Sequence, residues 1–240
     1  MKIVIPMAGK SSRFYAAGYK IPKFLIKVKG KTLMEYSLKS LPLSSNDQVV
    51  FIALKRHDEL YKLEKHINIT FPNLNFNLIL LENETRGQSE TVMASRDIID
   101  EKDELLIYNI DTCFKSKTLK KKITEEKHMH DGVLGAFINR SEENHWSFAK
   151  INKNKNVIKV REKVKISDFA LTGLYHFSKA KYFFETAEYH IRNNLLAKGE
   201  FYIAPLYNDL ILKGKNFKLD IVDEFIPLGT PKEVKIFERT

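Results

Sequence analysis

The stretch that decides the fold reads Lys2-Ile3-Val4-Ile5-Pro6-Met7-Ala8-Gly9-Lys10-Ser11-Ser12-Arg13-Phe14, and Pro22-Lys23 follows it. A β-branched run ends in a loop of small residues, which predicts a strand followed by a loop that can approach an anion closely. Arg13 and Lys23 add the positive charge that a polyphosphate requires. The spacing fits neither G-x-G-x-x-G nor G-x-x-x-x-G-K-[ST], so a Rossmann dinucleotide loop and a P-loop are both excluded.

Apolar runs of strand length alternate with helical patterns through the first half of the chain. Predicted strands cover 49–54, 76–81 and 105–110, and predicted helices cover 33–41, 58–67 and 89–99. This alternation requires a largely parallel sheet that is covered by helices on both faces. The first half therefore predicts an α/β unit of the nucleotide-binding type.

The second half has shorter strands in a more mixed order. Predicted strands cover 133–138, 148–151, 157–161, 170–177 and 216–222, and predicted helices cover 180–193, 203–213 and a segment starting at Pro231. The turn at 152–156 joins two of these strands into a predicted β-hairpin. We expect residues 1–240 to form a single three-layer α/β/α domain, Rossmann-like, with a mixed central sheet and a small β-hairpin insertion.

The net charge of +10 favours anionic partners, which leaves nucleic acid, an anionic membrane surface and phosphorylated small molecules. No RNP-like motif, zinc-finger spacing or helix-turn-helix is present, which disfavours nucleic acid. We expect the lysine clusters at 115–122 and 150–165 to be solvated faces. No apolar run approaches a membrane span and no secretory signal is expected, so membrane insertion is not expected. A single cysteine, Cys113, excludes an intrachain disulfide and fits a cytoplasmic protein.

Polar residues follow several predicted strands, at the end where open α/β sheets bind their ligands. These segments are 9–13 with Lys23, 85–90, 109–111 and 162–163. Asp111 would place a carboxylate opposite the phosphate loop. Because Mg²⁺ is bound through one or two carboxylates and phosphate oxygens, Asp111 is a candidate magnesium ligand, with a helix cap or a turn as the alternative role.

The chain resembles the sugar-phosphate nucleotidyltransferases in three segments. The family pattern A-G-x-G-[ST]-R-[LMF]…P-K is similar to Ala8-Gly9-Lys10-Ser11-Ser12-Arg13-Phe14 with Pro22-Lys23. Its E-K-P and A-x-T-G-L-Y segments are similar to Glu162-Lys163 and to Phe169-Ala170-Leu171-Thr172-Gly173-Leu174-Tyr175. Its G-E…G-T-P stretch is similar to Gly199-Glu200-Phe201 and Leu228-Gly229-Thr230-Pro231. The likeness is greatest to small members encoded with capsule polysaccharide genes.

The resemblance implies a GT-A-like fold with a nucleotide-binding half over 1–113 and an acceptor-binding half over 114–240. It implies an Mg²⁺-dependent enzyme that moves a nucleoside monophosphate from an NTP to a phosphorylated small acceptor and releases pyrophosphate. Positioning and charge neutralisation supply most of the rate in such a reaction, and no nucleophilic side chain is needed.

The resemblance also assigns roles by position. The residues implied to hold the triphosphate are Ala8, Gly9, Ser11, Ser12 and Arg13, with Lys23 at the α-phosphate. Asp111 is the implied Mg²⁺ ligand, and the base would lie near Glu82, Gly87 and Gln88. The acceptor phosphate would meet Lys163, and the acceptor body would meet Glu162, Thr172 and Gly173. Trp146 is either a wall of the acceptor pocket or a core residue, and Tyr202 and Tyr207 are expected to be packing residues.

Two positions depart from the family pattern. Ser11 stands where the family has its second glycine, so the loop carries a Cβ there. Pro227 stands where the family commonly has a second metal-binding aspartate, in W-x-D-x-G-T. Asp220 or Asp223 is a candidate replacement, each with the alternative role of an ordinary exposed or capping carboxylate. A site with one carboxylate is also compatible with Mg²⁺.

Glu82 stands where relatives that use thymidine or uridine nucleotides often have glutamine. An ionised carboxylate only accepts hydrogen bonds, which suits the exocyclic amino group of cytosine and favours CTP, with GTP also compatible. The implied acceptor is a sugar 1-phosphate or an amino-acid phosphate, because similar capsule-type members include a CTP:phosphoglutamine cytidylyltransferase.

Two other classes of function stay open. A family-2-like glycosyltransferase that uses a nucleotide sugar has a related fold but normally needs a D-x-D motif, and Asp111-Thr112-Cys113 has only the first aspartate. A non-catalytic protein that binds nucleotides or nucleic acid is the second alternative. A homo-oligomer is compatible with the sequence.

Overall fold

Thirteen strands and nine helices are present in the computed structural model, which describes residues 1–240. The strands are β1 (Lys2–Pro6), β2 (Lys27–Val28), β3 (Lys31–Thr32), β4 (Gln48–Leu54), β5 (Phe76–Leu81), β6 (Leu105–Tyr108), β7 (Thr112–Lys115), β8 (Gly132–Ile138), β9 (Ser147–Ile151), β10 (Val157–Glu162), β11 (Phe169–Phe177), β12 (Phe217–Ile221) and β13 (Glu224–Pro227). The helices are α1 (Ser12–Ala16), α2 (Leu33–Lys39), α3 (Lys55–Tyr61), α4 (Leu63–Thr70), α5 (Gln88–Met93), α6 (Leu119–Thr124), α7 (Ala180–Arg192), α8 (Leu206–Leu212) and α9 (Pro231–Arg239).

The central sheet is mixed, as the sequence predicts. Strand β1 pairs in parallel with β4 and β6, and β4 pairs in parallel with β5. Strand β11 is antiparallel to both β6 and β8, while β12 is parallel to β8. Strand β10 is likewise antiparallel to β9, so reversed strands occur in a sheet that is parallel around β1. The sheet is thus mixed, and the predicted fold class, a single α/β domain, is confirmed.

Two apolar layers lie on opposite faces of this sheet. Because successive side chains of a strand point to opposite faces, Val4 joins one buried cluster while Ile3 and Ile5 join the other. The first layer includes Phe183 of α7, and the second includes Leu38 of α2. The helices therefore cover both faces, which gives the three layers predicted from the alternating pattern.

The predicted β-hairpin is formed by β9 and β10, which pair antiparallel and attach to the sheet where Ala170 of β11 lies opposite Phe148. Strand β11 has a register shift between Leu171 and Tyr175. Gly173 lies in this shift with φ +86, and a Cβ there would come within 2.4 Å of Asn109 Nδ2. Glycine is therefore required at this bend.

A short ribbon of β7 and β13 lies off the main sheet, and the sequence patterns did not predict it. Its antiparallel pairing places Pro227 opposite Thr112, and Leu228 N donates to Asp111 O at 2.9 Å. The ribbon therefore brings the segment before α9 against the end of β6. Pro231 occupies the first turn of α9, as predicted, and Thr230 caps the helix by accepting from Glu233 N.

Several predicted boundaries differ from the structure. The predicted helix 58–67 is two helices, α3 and α4, because Lys62 has φ +50 and interrupts the helical backbone. The break leaves Leu60 exposed while Leu63 and Ile67 are buried. The predicted helix 203–213 begins only after Pro205, and helix α6 lies within the lysine cluster, where no helix was predicted.

No helix in the protein combines the length and the apolar character needed to cross a lipid bilayer.

Candidate functional site

Two adjoining cavities lie at the carboxyl ends of β1 and β6. The first cavity, of about 660 Å³, is lined by segments 6–12, 84–88, 109–111 and 199–200. The second cavity, of about 410 Å³, is lined by segments 145–147, 162–163, 171–173 and 227–233. Seven residues line both cavities: Ser11, Ser12, Lys23, Gln88, Asn109, Asp111 and Glu200. The two cavities therefore form one cleft, where open α/β sheets bind their ligands.

The loop after β1 is held open toward the first cavity by an unusual backbone. Ser11 has left-handed dihedral angles, φ 51 and ψ 24, and its carbonyl accepts from Phe14 N at 2.9 Å. The Phe14 side chain is buried and anchors the turn. The Ser11 hydroxyl accepts from Lys23 N at 3.2 Å, so the two parts of the predicted phosphate site support each other. A Cβ on Gly9 would meet nothing within 4 Å, so this stretch of the loop faces open space.

Lys23 and Asp111 meet in the floor shared by the cavities. Lys23 Nζ lies 2.6 Å from Asp111 Oδ2, and the side chains retain 24% and 16% of their exposure. An ammonium and a carboxylate at this distance neutralise each other while both stay in reach of a ligand. The two residues come from opposite ends of the predicted nucleotide-binding half.

The wall of the first cavity is tied to the floor through amide side chains. Gln88 Nε2 donates to Asn109 Oδ1, and the Asn109 carbonyl accepts from Ser37 Oγ at 2.6 Å. Gly87 has φ +154, and a Cβ there would lie 2.4 Å from Phe201 N. Gly87 therefore allows the 84–88 segment to touch the backbone of the 199–202 segment.

Lys163 is presented to the second cavity from the end of β10. Its backbone has φ +52, and its N–H donates to Trp146 O at 3.0 Å. Its ammonium donates to Tyr202 Oη at 2.5 Å. Burial lowers the pKa of Lys163, but the hydrogen bond to Tyr202 and the nearby carboxylates of Glu162 and Glu200 outweigh this, so the pKa is raised overall. Lys163 is therefore a fixed cation at neutral pH.

Glu162 lies beside Lys163 and is 8% exposed. Its carboxylate accepts a hydrogen bond from Ser147 Oγ across the β9–β10 hairpin. Burial raises the pKa of Glu162, against the lowering effect of the Ser147 hydrogen bond. Trp146 packs edge-on against Phe137 and its ring lies 3.7 Å from that of His145. Trp146 thus lines the second cavity with one part of its surface and packs against Phe137 with another.

A second carboxylate approaches Asp111, but from α9 rather than from β12 or β13. A Cβ placed on Gly229 would lie 3.0 Å from Asp111 Oδ2 and 3.7 Å from Glu233 Oε2. Glu233 is 17% exposed and lines the second cavity. Two carboxylates beside an open cleft suit Mg²⁺, which takes one or two protein carboxylates and fills its remaining positions with water and phosphate oxygens. The donor set thus fits the predicted ion.

The structure brings almost all of the predicted site residues to the cleft. Those lining the first cavity are Ala8, Gly9, Ser11, Ser12, Lys23, Gly87, Gln88 and Asp111. Those lining the second cavity include Arg13, Trp146, Glu162, Lys163, Thr172 and Gly173. Arg13 lines the second cavity only, which differs from the expectation that it stands with the rest of the phosphate loop.

Three predicted candidates lie outside the cleft. Glu82 is 71% exposed and pairs with Lys55 at 2.7 Å, beyond both cavities. Asp220 is fully buried, where it accepts hydrogen bonds from Ser116, Thr118 and Lys122. Asp223 accepts from Lys117 N at 2.9 Å. The two aspartates have structural partners in the lysine-rich segment, so the structure does not support either as a replacement for the carboxylate missing at Pro227.

Sequence reasoning missed several residues of the cleft. They are His145, Glu200, Tyr202 and Glu233, whereas Asn109 lies in the segment 109–111 that the sequence had singled out. Tyr202 was expected to be a packing residue, as Tyr207 is, but its hydroxyl partners Lys163 instead. The signal for Glu200 and Tyr202 was their position directly after Gly199, in a segment already similar to the family's G-E stretch. Glu233 carried no signal, because only the ribbon of β7 and β13 brings α9 to Asp111.

A comparison with known protein families shows to which family the chain with this cleft belongs. Residues 2–211 match the model of the family described as nucleotidyl transferase. The protein belongs to the nucleotidyl transferase family. The matched residues include the loop after β1, Asp111, Lys163 and Tyr202, so the main elements of the cleft lie within the family region.

Solved structures extend the likeness over the whole nucleotidyltransferase chain. It is similar to the nucleoside-diphosphate-sugar pyrophosphorylase from Vibrio cholerae RC9, with 34% identity and a TM-score of 0.86 over 99% of this chain and 100% of that one. It shares its fold with the inositol-1-phosphate CTP transferase from T. maritima, with 14% identity and a TM-score of 0.76 over 99% of this chain and 93% of that one. No curated protein sequence matches the chain.

Proposed function

We propose that the protein transfers a nucleoside monophosphate from an NTP to a phosphorylated small acceptor and releases pyrophosphate. The observation that carries this proposal is the position of the Lys23–Asp111 pair in the floor common to two cavities. One cavity has the small-residue loop for a triphosphate, and the other has the Lys163 ammonium for a second phosphate. A reaction between two phosphorylated substrates requires this arrangement. The V. cholerae structure, named as a nucleoside-diphosphate-sugar pyrophosphorylase, supports the same reaction class.

In the proposed reaction an oxygen of the acceptor phosphate attacks the α-phosphorus of the NTP in line with the leaving group. The new P–O bond forms as the α–β phosphoanhydride bond breaks, and pyrophosphate takes the bonding electron pair. Lys23 would neutralise charge at the α-phosphate, and Arg13 would add positive charge from the second cavity. Lys163 would hold the attacking phosphate. No side chain needs to form a covalent intermediate.

Asp111 would hold Mg²⁺, with Glu233 as the second carboxylate in reach. The bound ion would neutralise charge on the phosphate oxygens during transfer. Lys23 Nζ is paired with Asp111 in the structure, so this ammonium neutralises the carboxylate and would also lie within reach of the nucleotide phosphates.

CTP is the proposed nucleotide. Glu82 no longer supports this choice, because its carboxylate pairs with Lys55 outside the cleft. Glu84 is the carboxylate that lines the first cavity, and one of its oxygens accepts from Arg56. The Arg56 hydrogen bond lowers the pKa of Glu84, so it is ionised at neutral pH and offers only acceptors, which suits the exocyclic amino group of cytosine.

The proposed acceptor is a sugar 1-phosphate or an amino-acid phosphate such as phosphoglutamine, in capsule or surface polysaccharide synthesis. The second cavity supports a polar acceptor body, because Glu162, Glu200 and Glu233 line it beside the rings of Trp146 and Tyr202. Carboxylates accept hydrogen bonds from hydroxyl or ammonium groups, and aromatic faces pack against either kind of body.

Pyrophosphate release tests the proposal. The protein is incubated with Mg²⁺, with each NTP in turn, and with a panel of sugar 1-phosphates and phosphorylated amino acids. Pyrophosphate that requires both substrates is the expected result, with CTP preferred. Lys163→Ala should abolish most of this release, whereas Lys215→Ala is the matched control, because Lys215 also bonds a tyrosine hydroxyl but lies outside both cavities. Absence of pyrophosphate with every pair contradicts the proposal.

Glycosyl transfer is separated by the same incubations with nucleotide sugars. Release of nucleoside diphosphate from a nucleotide sugar would indicate that reaction. The structure does not favour it, because Cys113 packs against the apolar cluster that contains Phe14 and Leu228, in the place of the second aspartate of a D-x-D motif.

A further inference from the structure

The segment 199–202 lies between the two cavities and contacts the walls of both. Glu200 lines both cavities, Gly199 lines the first, and Tyr202 lines the second. Between them, Phe201 is 1% exposed and is therefore an internal anchor. A displacement of this segment would therefore move residues that line both cavities.

On the side of the first cavity, the backbone of Phe201 is fixed by hydrogen bonds. Phe201 N donates to Arg86 O at 3.1 Å, and Phe201 O accepts from Ser89 N at 2.9 Å and from Ser89 Oγ at 3.0 Å. The guanidinium of Arg86 also lies 4.8 Å from the centre of the Phe201 ring. Tyr202 therefore starts from a backbone whose position is determined by the 86–89 segment.

On the side of the second cavity, Tyr202 is the side chain that holds Lys163. The Lys163 ammonium lies 2.5 Å from the Tyr202 hydroxyl and 4.7 Å from the centre of its ring. Lys163 itself has φ +52, a left-handed backbone conformation that is strained for a residue other than glycine, asparagine or aspartate. A strained lysine that is fixed at both its backbone and its ammonium has little freedom to choose another direction.

From these contacts we infer that Tyr202 is a positioning residue, which holds the Lys163 ammonium in the direction of the acceptor phosphate. The inference rests on the proposed function, because it gives Lys163 a phosphate to bind. Tyr202 acts through Lys163 and not on the nucleotide. Its removal should therefore raise the KM for the acceptor and leave the KM for the NTP unchanged.

The test is a double-mutant cycle on the full chain with pyrophosphate release as the readout. Tyr202→Phe keeps the ring and removes the hydroxyl, and it should raise the acceptor KM about tenfold, as expected for a lost hydrogen bond to a charged group. The KM for the NTP should stay within about twofold of the wild-type value. In a Lys163→Ala background, Tyr202→Phe should have no further effect, because neighbours that act together are not additive.

The chain contains a matched control for this experiment. Lys215 Nζ donates to Tyr182 Oη at 3.0 Å and lies 4.5 Å from the centre of that ring, so this pair makes the same two kinds of contact outside the cleft. Tyr182→Phe should leave both KM values unchanged. Equal effects of Tyr202→Phe with and without Lys163 would overturn the inference, as would a rise in the KM for the NTP. An inactive wild-type protein would instead overturn the proposed function, so the two failures are distinguishable.

Discussion

Lys23 Nζ and Asp111 Oδ2 lie 2.6 Å apart in the floor of the cleft, although the two residues are 88 positions apart in the sequence. The proposed reaction uses the charges of both residues, and each residue comes from a different part of the chain. The pair is only partly buried, so its contribution to the free energy of unfolding is small. What matters for the proposed function is that it places two charged groups in the cleft.

Lys23→Ala and Asp111→Asn should each lower turnover by about 100-fold or more without unfolding the protein, because each removes charge that acts at the transferred phosphate. Pyrophosphate release measures turnover, and thermal unfolding confirms the fold. Lys55→Ala is the matched control, since its ion pair with Glu82 has a similar length but lies outside the cleft. Near-normal turnover in both site variants would overturn the assignment of the site.

Gly87→Ala should destabilise the protein by about 2 kcal/mol and impair NTP binding, because the new Cβ would lie within 2.4 Å of the Phe201 backbone. Gly9→Ala is the comparison, since a Cβ there meets nothing in the protein. It should leave stability within about 0.5 kcal/mol and still raise the KM for the NTP by filling the space that phosphate needs. Urea unfolding and NTP titration separate the two effects, and equal stability losses would contradict this account.

Ser11→Ala should cost about 1 kcal/mol of stability, because it removes the hydroxyl that accepts from Lys23 N and keeps a Cβ at φ 51. Ser11→Gly loses the same hydrogen bond but relieves about 1 kcal/mol of left-handed strain, so its stability should be close to that of the wild type. Urea denaturation of the two variants checks this order. If the alanine variant were the more stable of the two, the backbone account of Ser11 would fail.

Glu162→Gln should become more stable relative to the wild type as pH rises. The folded-state pKa of Glu162 is raised by burial, so the folded protein holds the extra proton between its unfolded and folded pKa values. The contribution of Glu162 to stability is therefore greatest below the unfolded pKa and is lost as pH rises through the folded pKa. Thermal unfolding from about pH 4 to pH 8 measures the difference in Tm.

Exposed Glu125→Gln is the control for that series and should show no such trend. The same Glu162→Gln variant should raise the acceptor KM about tenfold, because an amide replaces a carboxyl hydrogen-bond acceptor facing the second cavity. A variant that loses stability with rising pH relative to the wild type would contradict the assigned cause of the pKa shift.

Glu84→Gln should reduce any preference for CTP over UTP, whereas Glu82→Gln should leave the preference unchanged. Glu84 lines the first cavity and Glu82 does not. Competition between the two nucleotides in the pyrophosphate assay measures this preference. If Glu82→Gln changed the preference for CTP and Glu84→Gln did not, the base would be recognised by Glu82 and not by Glu84.

Local patterns were enough to predict the strands and the loop, because both depend on neighbours in sequence. The β-branched run at 2–5 forms β1, and Asp111 follows β6 at the predicted end of the sheet. The direction of β11 was not predictable, because period-2 alternation is the same in parallel and antiparallel strands. The break at Lys62 was also missed, since a lysine in a left-handed conformation has no sequence signal.

The parts of the site that the sequence did not reveal depend on distant contacts. Lys115 of β7 and Glu224 of β13 form an ion pair across 109 positions, and this ribbon is what brings Glu233 to Asp111. The proposed role of Tyr202 depends on its contact with Lys163, which the local sequence does not reveal. Glu82 follows β5, as its position predicts, but its carboxylate turns to Lys55 rather than into the cleft.

The β7–β13 ribbon also has a consequence for how the protein matures during synthesis. Four lining residues of the second cavity, Pro227, Gly229, Thr230 and Glu233, belong to β13 or follow it. The first cavity also takes late residues, because Gly199 and Glu200 line it. Neither side of the cleft is therefore complete until the C-terminal part of the chain has been made, and a shortened or nascent chain is not expected to form the site.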